Sequence, residues 1–424
     1  MDKENKLTWR RLDNSAKIFP MSTGERYSTV FRLSAVLKND IQPEMLQKAV
    51  EITLEKYEPF KVRLKAGLFW YYLEQNNKAP KVEEERDYPC KYINPKRNRG
   101  YLFRVTYFKN KVNIDIFHSL TDGNGGTTFF REIIYTYLEI CYPEDLNQEN
   151  RKARKIEFDI EDSYIKNYNK KINTNVPNPR AYELNGKKIK LGAISTIHQI
   201  IDANQLKKEC EKYDVSVTQY LTAVLMHSIY RENYKGKKPL KVCVPVNLKK
   251  YYPSKTISNF FSYIMIEGKK KQENFDEIIS LVKQEFKEKL AEKEILKTMS
   301  ANVKLGNNIF IKLIPLILKN IIVRLSYLEI RKHSSITYSN TGRVGIMGEY
   351  QKYIDYFMVL ISPDSVEKIK CSSCTFEDKI VFTFTSILNN NRIEKAFYEF
   401  LKKRGIKVKI ESNGVLDDIS TENK

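Results

Sequence analysis

Two stretches in the first third of the chain alternate apolar and polar residues with period two. Phe31, Leu33, Ala35 and Leu37 interleave with Arg32, Ser34 and Lys38, which predicts a strand over 28–38. Val112, Ile114 and Ile116 share a face with His118, so the strand 112–118 carries an apolar stripe that ends on an imidazole. Residues 101–108 form a hairpin with it across Lys109-Asn110-Lys111. Between these strands, Leu46, Ala49, Val50, Thr53 and Tyr57 fall on one helical face, with Asn39 or Asp40 as cap, Pro43 in the first turn and Pro59 as stop. Residues 61–64 and 68–73 read as a strand pair broken at Gly67, and 76–99 as irregular. A helix from about Thr127 to Cys141, capped by Thr127 or Thr128, closes the unit.

Periodicity fades over 142–190, a crossover rich in Lys, Asn, Glu and Pro. Its basic run Arg151-Lys152-Ala153-Arg154-Lys155 reads as a solvated loop or as a phosphate contact. A second unit opens near 195–201. Ser216-Val217-Thr218-Gln219 is a capping box for a helix with Leu221, Val224, Leu225 and Ser228 inward. Strands follow at 240–246, 260–266, 336–340, 356–362 and 380–386. A long exposed amphipathic helix spans 274–296, and a last one, 393–403, stops at Gly405. Strand, helix and hairpin recur in both halves, so the expected class is α/β in two units, 1–175 and 176–424.

Composition changes this picture little. The 424 residues are 42% hydrophobic and 12% aromatic, enough for two cores and unlike a disordered chain. Lys and Arg exceed Asp and Glu by 73 to 52, a net charge of +21. That charge is spread along the whole chain, so it reads as a lysine-rich surface, and no specific nucleic acid is expected as partner. Six cysteines without regular spacing point to a reducing cytoplasm. The polar Met1–Lys6 lacks a signal-peptide core, and no run of about 20 apolar residues predicts a transmembrane helix. The most apolar stretch, 309–327, is interrupted by Lys312, Lys319 and Arg324 and broken at Pro315. Three readings stay open for it: core packing, a channel wall, or peripheral contact with a membrane surface.

Chemistry concentrates at His118-Ser119-Leu120-Thr121-Asp122-Gly123, followed by Asn124-Gly125-Gly126. An imidazole at the end of an apolar stripe can serve as a base where water is scarce. The glycines allow a tight turn and close approach of a ligand. A calcium loop starting at Asp122 fails because its twelfth position is Ile133. Cys371-Ser372-Ser373-Cys374 has no second pair and no histidine partners, so it reads as two thiols in a turn, and no metal site is expected. His227 reads as packed, and His198 and His333 carry no motif.

This H-x-x-x-D-G pattern, at a strand-to-loop junction, resembles the acyltransferases of the chloramphenicol acetyltransferase fold. That superfamily holds alcohol acyltransferases, plant acyl-CoA-dependent acyltransferases and peptide-synthetase condensation domains. The likeness spans most of the chain and is nearest to stand-alone alcohol acetyltransferases. It implies two such domains, with mixed sheets covered by helices and a channel at their interface. It implies acyl-CoA as co-substrate without a bound cofactor, a small-molecule alcohol acceptor, and His118 as general base. Asp122 and Gly123 would be structural, the aspartate facing away from substrate and paired with a cation. Similar proteins supply that cation from a pattern close to V-D-x-R. Here Val246-Asn247-Leu248-Lys249 stands in its place, making Lys249 the candidate and Arg343 or Lys250 its rivals.

Two further segments match. Ser258-Asn259-Phe260-Phe261-Ser262 resembles a G-N-F-F-like segment, with Ser258 for the usual glycine, and Ser339-Asn340-Thr341-Gly342 resembles S-N-x-G. Asn259, Ser339 and Asn340 are thereby candidates to face an oxyanion or line the channel; read alone, both segments are ordinary strand-end turns. Condensation and wax-ester-type enzymes usually show paired histidines, whereas Phe117 precedes His118, and no carrier-protein segment is evident. Both facts favour acyl-CoA over a carrier protein as donor. Amide or ester formation from a carrier-bound acyl group, and a non-catalytic ligand-binding protein on the same fold, are the alternatives.

Overall fold

A computed structural model describes residues 9–25, 28–146, 157–172, 179–268 and 271–416. The basic run 151–155 and the segment Met1–Lys6 lie outside the described residues. Among the described residues two main sheets organise the chain, and the fifteen strands there are numbered in chain order. In the first half these are β1 (Trp9–Arg11), β2 (Val30–Leu37), β3 (Val62–Ala66), β4 (Tyr71–Gln75), β5 (Val82–Glu84), β6 (Phe103–Phe108) and β7 (Lys111–Phe117). In the second they are β8 (Ser195–Asp202), β9 (Leu240–Asn247), β10 (Phe261–Gly268), β11 (Ile336–Arg343), β12 (Ile354–Ile361), β13 (Ile369–Phe376), β14 (Lys379–Ser386) and β15 (Val408–Ser412).

A five-stranded sheet has the order β12-β2-β7-β6-β5, and a seven-stranded mixed sheet the order β10-β9-β11-β13-β14-β8-β15; β1, β4 and β3 form a small third sheet. Helices Pro43–Lys56 and Gly123–Cys141 pack together beside the five-stranded sheet. Val217–Glu232, Phe275–Lys289 and Arg392–Lys403 bury their apolar faces in the core of the seven-stranded sheet. Each sheet has its own apolar core.

The sheets cross the expected division near residue 175. Strand β12 comes from the second half yet pairs antiparallel with β2, Phe357 opposite Ala35 and Val359 opposite Leu33. Carbonyls of Phe357, Val359 and Ile361 then need partners, as buried backbone groups must. They accept from the Cys374 thiol at 3.1 Å, the Ser372 hydroxyl, and Thr385 Oγ1 at 2.6 Å, all on the other sheet. Side chains of β13 and β14 thus fasten the seven-stranded sheet to the edge of the five-stranded one.

Several local expectations are corrected. Cys371–Cys374 lies inside strand β13 rather than in a turn, and all six cysteines are free thiols. The helix after the histidine begins four residues earlier than expected, because Asp122 caps it in place of Thr127 or Thr128. Helix Pro43–Lys56 has Gln42 at its cap position, with no side-chain bond from Asn39 or Asp40. The long helix predicted over 274–296 is two helices, Phe275–Lys289 and Glu292–Asn307, and the first buries Phe275, Ile278, Ile279, Val282 and Phe286. Strand β15 adds to β8 at the sheet edge, where only Val408 and Ile410 carry apolar side chains and the period is too short to read. The capping box at Ser216 and Gln219 is present, and Gly405 adopts a positive φ of 75° behind the last helix.

A buried charge cluster stiffens the five-stranded sheet. Asp115, with no exposed surface, accepts two bonds from Arg32 at 2.8 Å and one from Arg104 Nη2 at 2.7 Å, while Arg32 also bonds Glu85. Burial alone would raise the Asp115 carboxyl, but the charge and bonds of Arg32 and Arg104 outweigh it and hold the group below the usual aspartate range. Its contribution to stability is therefore complete at neutral pH and fades as pH falls through the acid range. Asp115→Ala leaves two guanidinium groups without their shared partner and should cost about 3–5 kcal/mol in urea unfolding at neutral pH. A loss below ~1 kcal/mol would show that water replaces the carboxylate.

Candidate active site

His118 follows β7 directly, where the first sheet meets β10 and β11 of the second. Its backbone N–H donates to Thr29 O at 3.1 Å, which fixes the chain as it leaves the sheet. The ring is sandwiched by aromatic side chains: Phe19 stacks on it at 4.6 Å between centroids, and Phe31 and Phe261 approach at 5.2 and 5.3 Å. Burial lowers the imidazole below its ordinary value, against the opposing effects of the Asp122 charge and the Asn259 bond. The ring is therefore neutral near pH 7.

Asn259 decides which nitrogen carries the proton. Its Nδ2 donates to Asp13 Oδ2 at 3.0 Å and to His118 O at 3.1 Å, so its Oδ1 is the atom 3.0 Å from His118 Nδ1. A carbonyl oxygen only accepts, so Nδ1 must be the protonated nitrogen and Nε2 keeps its lone pair. Sequence reasoning expected Asn259 to face an oxyanion or line the channel. The structure instead commits its amide to the imidazole and to Asp13. Asp13 also accepts from Asn259 N at 3.1 Å and Ala16 N at 2.7 Å. Burial pushes its carboxyl up to about 6, and these hydrogen bonds pull against that rise. Asp13 was missed because Arg10-Arg11-Leu12-Asp13-Asn14 shows no periodicity and no motif.

Asp122 is held by backbone rather than by a cation. Its Oδ1 accepts from Asn124 N and Gly125 N, both at 3.0 Å, and its Oδ2 from Phe260 N at 2.9 Å. The expected partners are engaged elsewhere: Lys249 Nζ bonds Thr256 O, and Arg343 pairs with Glu377 at 3.4 Å. Lys249 remains close enough for the Asp122 charge to oppose the lowering that burial imposes on its ammonium. Thr121 Oγ1 adds a 2.6 Å bond to Ile257 O. A Cβ on Gly125 would come within 2.1 Å of Thr121 Oγ1 and 2.5 Å of Ile257 O, so this close approach requires glycine. At Gly123 a Cβ would meet only Thr341 at 3.8 Å. The tight constraint therefore falls two residues beyond the glycine of the motif.

A cavity of about 350 Å³ opens over the ring. Phe31, Phe261, Ser339, Thr341 and Tyr327 are among its lining residues. Asn340, next in sequence to Ser339, is among them too, and it also bonds Thr218 Oγ1 through Nδ2 and accepts Gly342 N through Oδ1, both at 2.8 Å. That segment bulges from its pairing with β13, and Gly342 takes φ 77°. A second, larger cavity of about 880 Å³ adjoins the first along Asn124, Thr128, Arg131 and Gly345. Its wall carries Arg131, Lys249 and Lys255 together with Glu132 and Glu157. Among the described residues no cluster of side chains could hold a metal ion. His227 packs against Phe275 and Phe400, and His198 bonds Thr383 Oγ1 at 2.9 Å, both away from this site.

No family model and no curated protein sequence matches the chain. Solved structures do. TRI3 trichothecene 15-O-acetyltransferase from Fusarium sporotrichioides aligns with TM-score 0.63 at 9% identity, over 93% of this chain and 94% of its own. TRI101 from F. sporotrichioides, in complex with coenzyme A and T-2, aligns with TM-score 0.61 at 11% identity, over 95% and 99%. The condensation domain of the Monacolin K polyketide synthase MokA aligns with TM-score 0.55 at 10% identity, over 94% and 96%. At these identities the likeness speaks for architecture: the chain has the two-domain chloramphenicol acetyltransferase-like fold.

Proposed function

We propose that this protein is an acyltransferase that moves an acyl group from a coenzyme A thioester to a small alcohol, with His118 as general base. The observation that carries this reading is the Asn259 Oδ1 to His118 Nδ1 contact of 3.0 Å, which leaves Nε2 as the basic nitrogen of a neutral, water-poor imidazole.

The acceptor hydroxyl gives its proton to Nε2 while its oxygen attacks the thioester carbonyl. The oxyanion so formed takes a hydrogen bond from the Ser339 hydroxyl, which we assign as donor from its place in the cavity wall. As the carbon–sulfur bond breaks, the imidazolium returns the proton to the departing thiolate, giving ester and free coenzyme A. Holding both substrates in adjoining cavities removes the need for an acyl-enzyme. Coenzyme A would enter through the larger cavity, where Arg131, Lys249 and Lys255 offer charge to its phosphates. The solved structure of TRI101 with coenzyme A and T-2 supports this class of donor and acceptor.

Thiol release from acetyl- and longer acyl-CoAs against a panel of alcohols tests the reading. His118→Ala should lose at least ~10²-fold in turnover while remaining folded. Unchanged turnover in the folded variant, or no release from wild type with any ester, would overturn it. Asn259→Ala frees the ring to take the other tautomer and should lower kcat on the order of 10²-fold with little change in KM; a KM effect alone would place Asn259 in substrate binding. Because burial lowers the imidazole, the acid limb of kcat/KM should lie below the ordinary histidine value. A limb at or above that value would mean that the ring is hydrated.

A further inference from the structure

Helix Leu316–Arg331 has its polar side inward. Lys319 is 1% exposed; its Nζ donates to Phe69 O at 2.8 Å and sits 3.6 Å from the centroid of the Trp70 ring. Asn320 Nδ2 donates to the Tyr71 hydroxyl at 3.1 Å, and Leu316 N to Leu68 O at 2.9 Å. At the far end Arg331 pairs with Asp364 at 2.6 Å and with Glu367. The outward side is aliphatic: Ile317, Leu318, Ile321, Ile322 and Leu325 form one stripe by their three- and four-residue spacing, with Ile317 78% and Leu325 64% exposed. Leu313 and Leu68 are exposed beside it. Core packing, one reading of this stretch, is thus excluded for these side chains.

Cations border the stripe. Lys312, ahead of the helix, and Arg324, on it, are both exposed. The same helix touches the short helix Phe19–Ser22, whose Phe19 stacks on His118, and it contributes Tyr327 and Arg331 to the wall of the His118 cavity. Its outward face and the cavity therefore lie on the two sides of one helix.

We propose that this face docks on an anionic lipid surface. The stripe would enter the boundary between headgroups and acyl chains, with Lys312 and Arg324 at the lipid phosphates and the cavity one helix behind the surface. Among the described residues no helix is long and apolar enough to cross a membrane, which leaves a contact lying on the surface. A second copy of the chain fits less well. Each copy would carry the net charge of +21, and that repulsion opposes pairing of two chains.

Sedimentation of the full chain with phosphatidylcholine vesicles, with and without phosphatidylglycerol, tests this without any turnover, so a failure of the acyl-transfer reading leaves the result intact. Wild type should bind the phosphatidylglycerol vesicles, less so at high salt. Combined Ile317→Ser, Ile321→Ser and Leu325→Ser should weaken binding at least ~10-fold at unchanged Tm, since each side chain is already exposed. Lys312→Glu with Arg324→Glu should remove the preference for phosphatidylglycerol. Absence of binding by wild type, equal binding by the triple serine variant, or a wild-type dimer that this variant dissolves in ultracentrifugation without vesicle binding would overturn the proposal.

Discussion

The site depends on one side-chain amide. Asn259 lies between three parts of the chain that are distant in sequence: His118 at the end of a first-sheet strand, Asp13 near the N-terminus, and its own segment ahead of β10. Its Oδ1 faces the imidazole, and its Nδ2 is shared by Asp13 and the His118 carbonyl. Because an amide has a donor end and an acceptor end, Asp13 sets the direction of the whole chain of bonds. A carboxylate there can only accept, so Nδ2 points to it and Oδ1 must point to the ring. The tautomer of His118 is in this sense determined two residues away from the imidazole. Burial that raises Asp13 to about 6 makes this direction dependent on its ionisation.

The same constraint explains why the two sheets must be held in fixed register. A bond of 3.0 Å between residues 118 and 259 does not survive a shift of an ångström. The structure meets this need away from the site. Strand β12 completes the first sheet, and its remaining carbonyls are taken by Ser372, Cys374 and Thr385 of the second. Closer in, Thr121 bonds Ile257 and Asp122 bonds Phe260, so the histidine loop and the segment before β10 are joined on both sides of Asn259. Packing supplies the bulk of the stability, and these directional bonds supply the alignment.

What was legible in the sequence was what local periodicity records. The stripe ending at His118, the helix behind it, the capping box at Ser216 and the stop at Gly405 are encoded within a few residues of where they act. The motif pointed to the fold. Asp13 was not legible, since its role exists only once residue 259 is beside it. The pairing of β12 with β2 was hidden for the same reason: residues 354–361 form a strand either way, and nothing local says which sheet it joins. Strand β13 was misread through its composition. Serine and cysteine suggest a turn, yet Ser372 and Cys374 are there because a hydroxyl and a thiol can reach the carbonyls of β12.

The departures at Lys249 and Ser258 bear on whether the site has drifted. An aspartate that relied on a cation would be weakened when arginine gives way to lysine, which lacks the planar fork. Here Asp122 accepts three backbone N–H bonds, enough to satisfy a carboxylate without any ion pair. Lys249, released from that task, bonds the Thr256 carbonyl and braces the segment that leads to Asn259. Ser258, in the glycine position, takes a bond of 3.4 Å from Arg10, which also donates to Pro59 O at 3.0 Å and so ties the N-terminal segment that carries Asp13 to the rest of the site. Both departures are thus absorbed by contacts that still position Asn259 beside the imidazole.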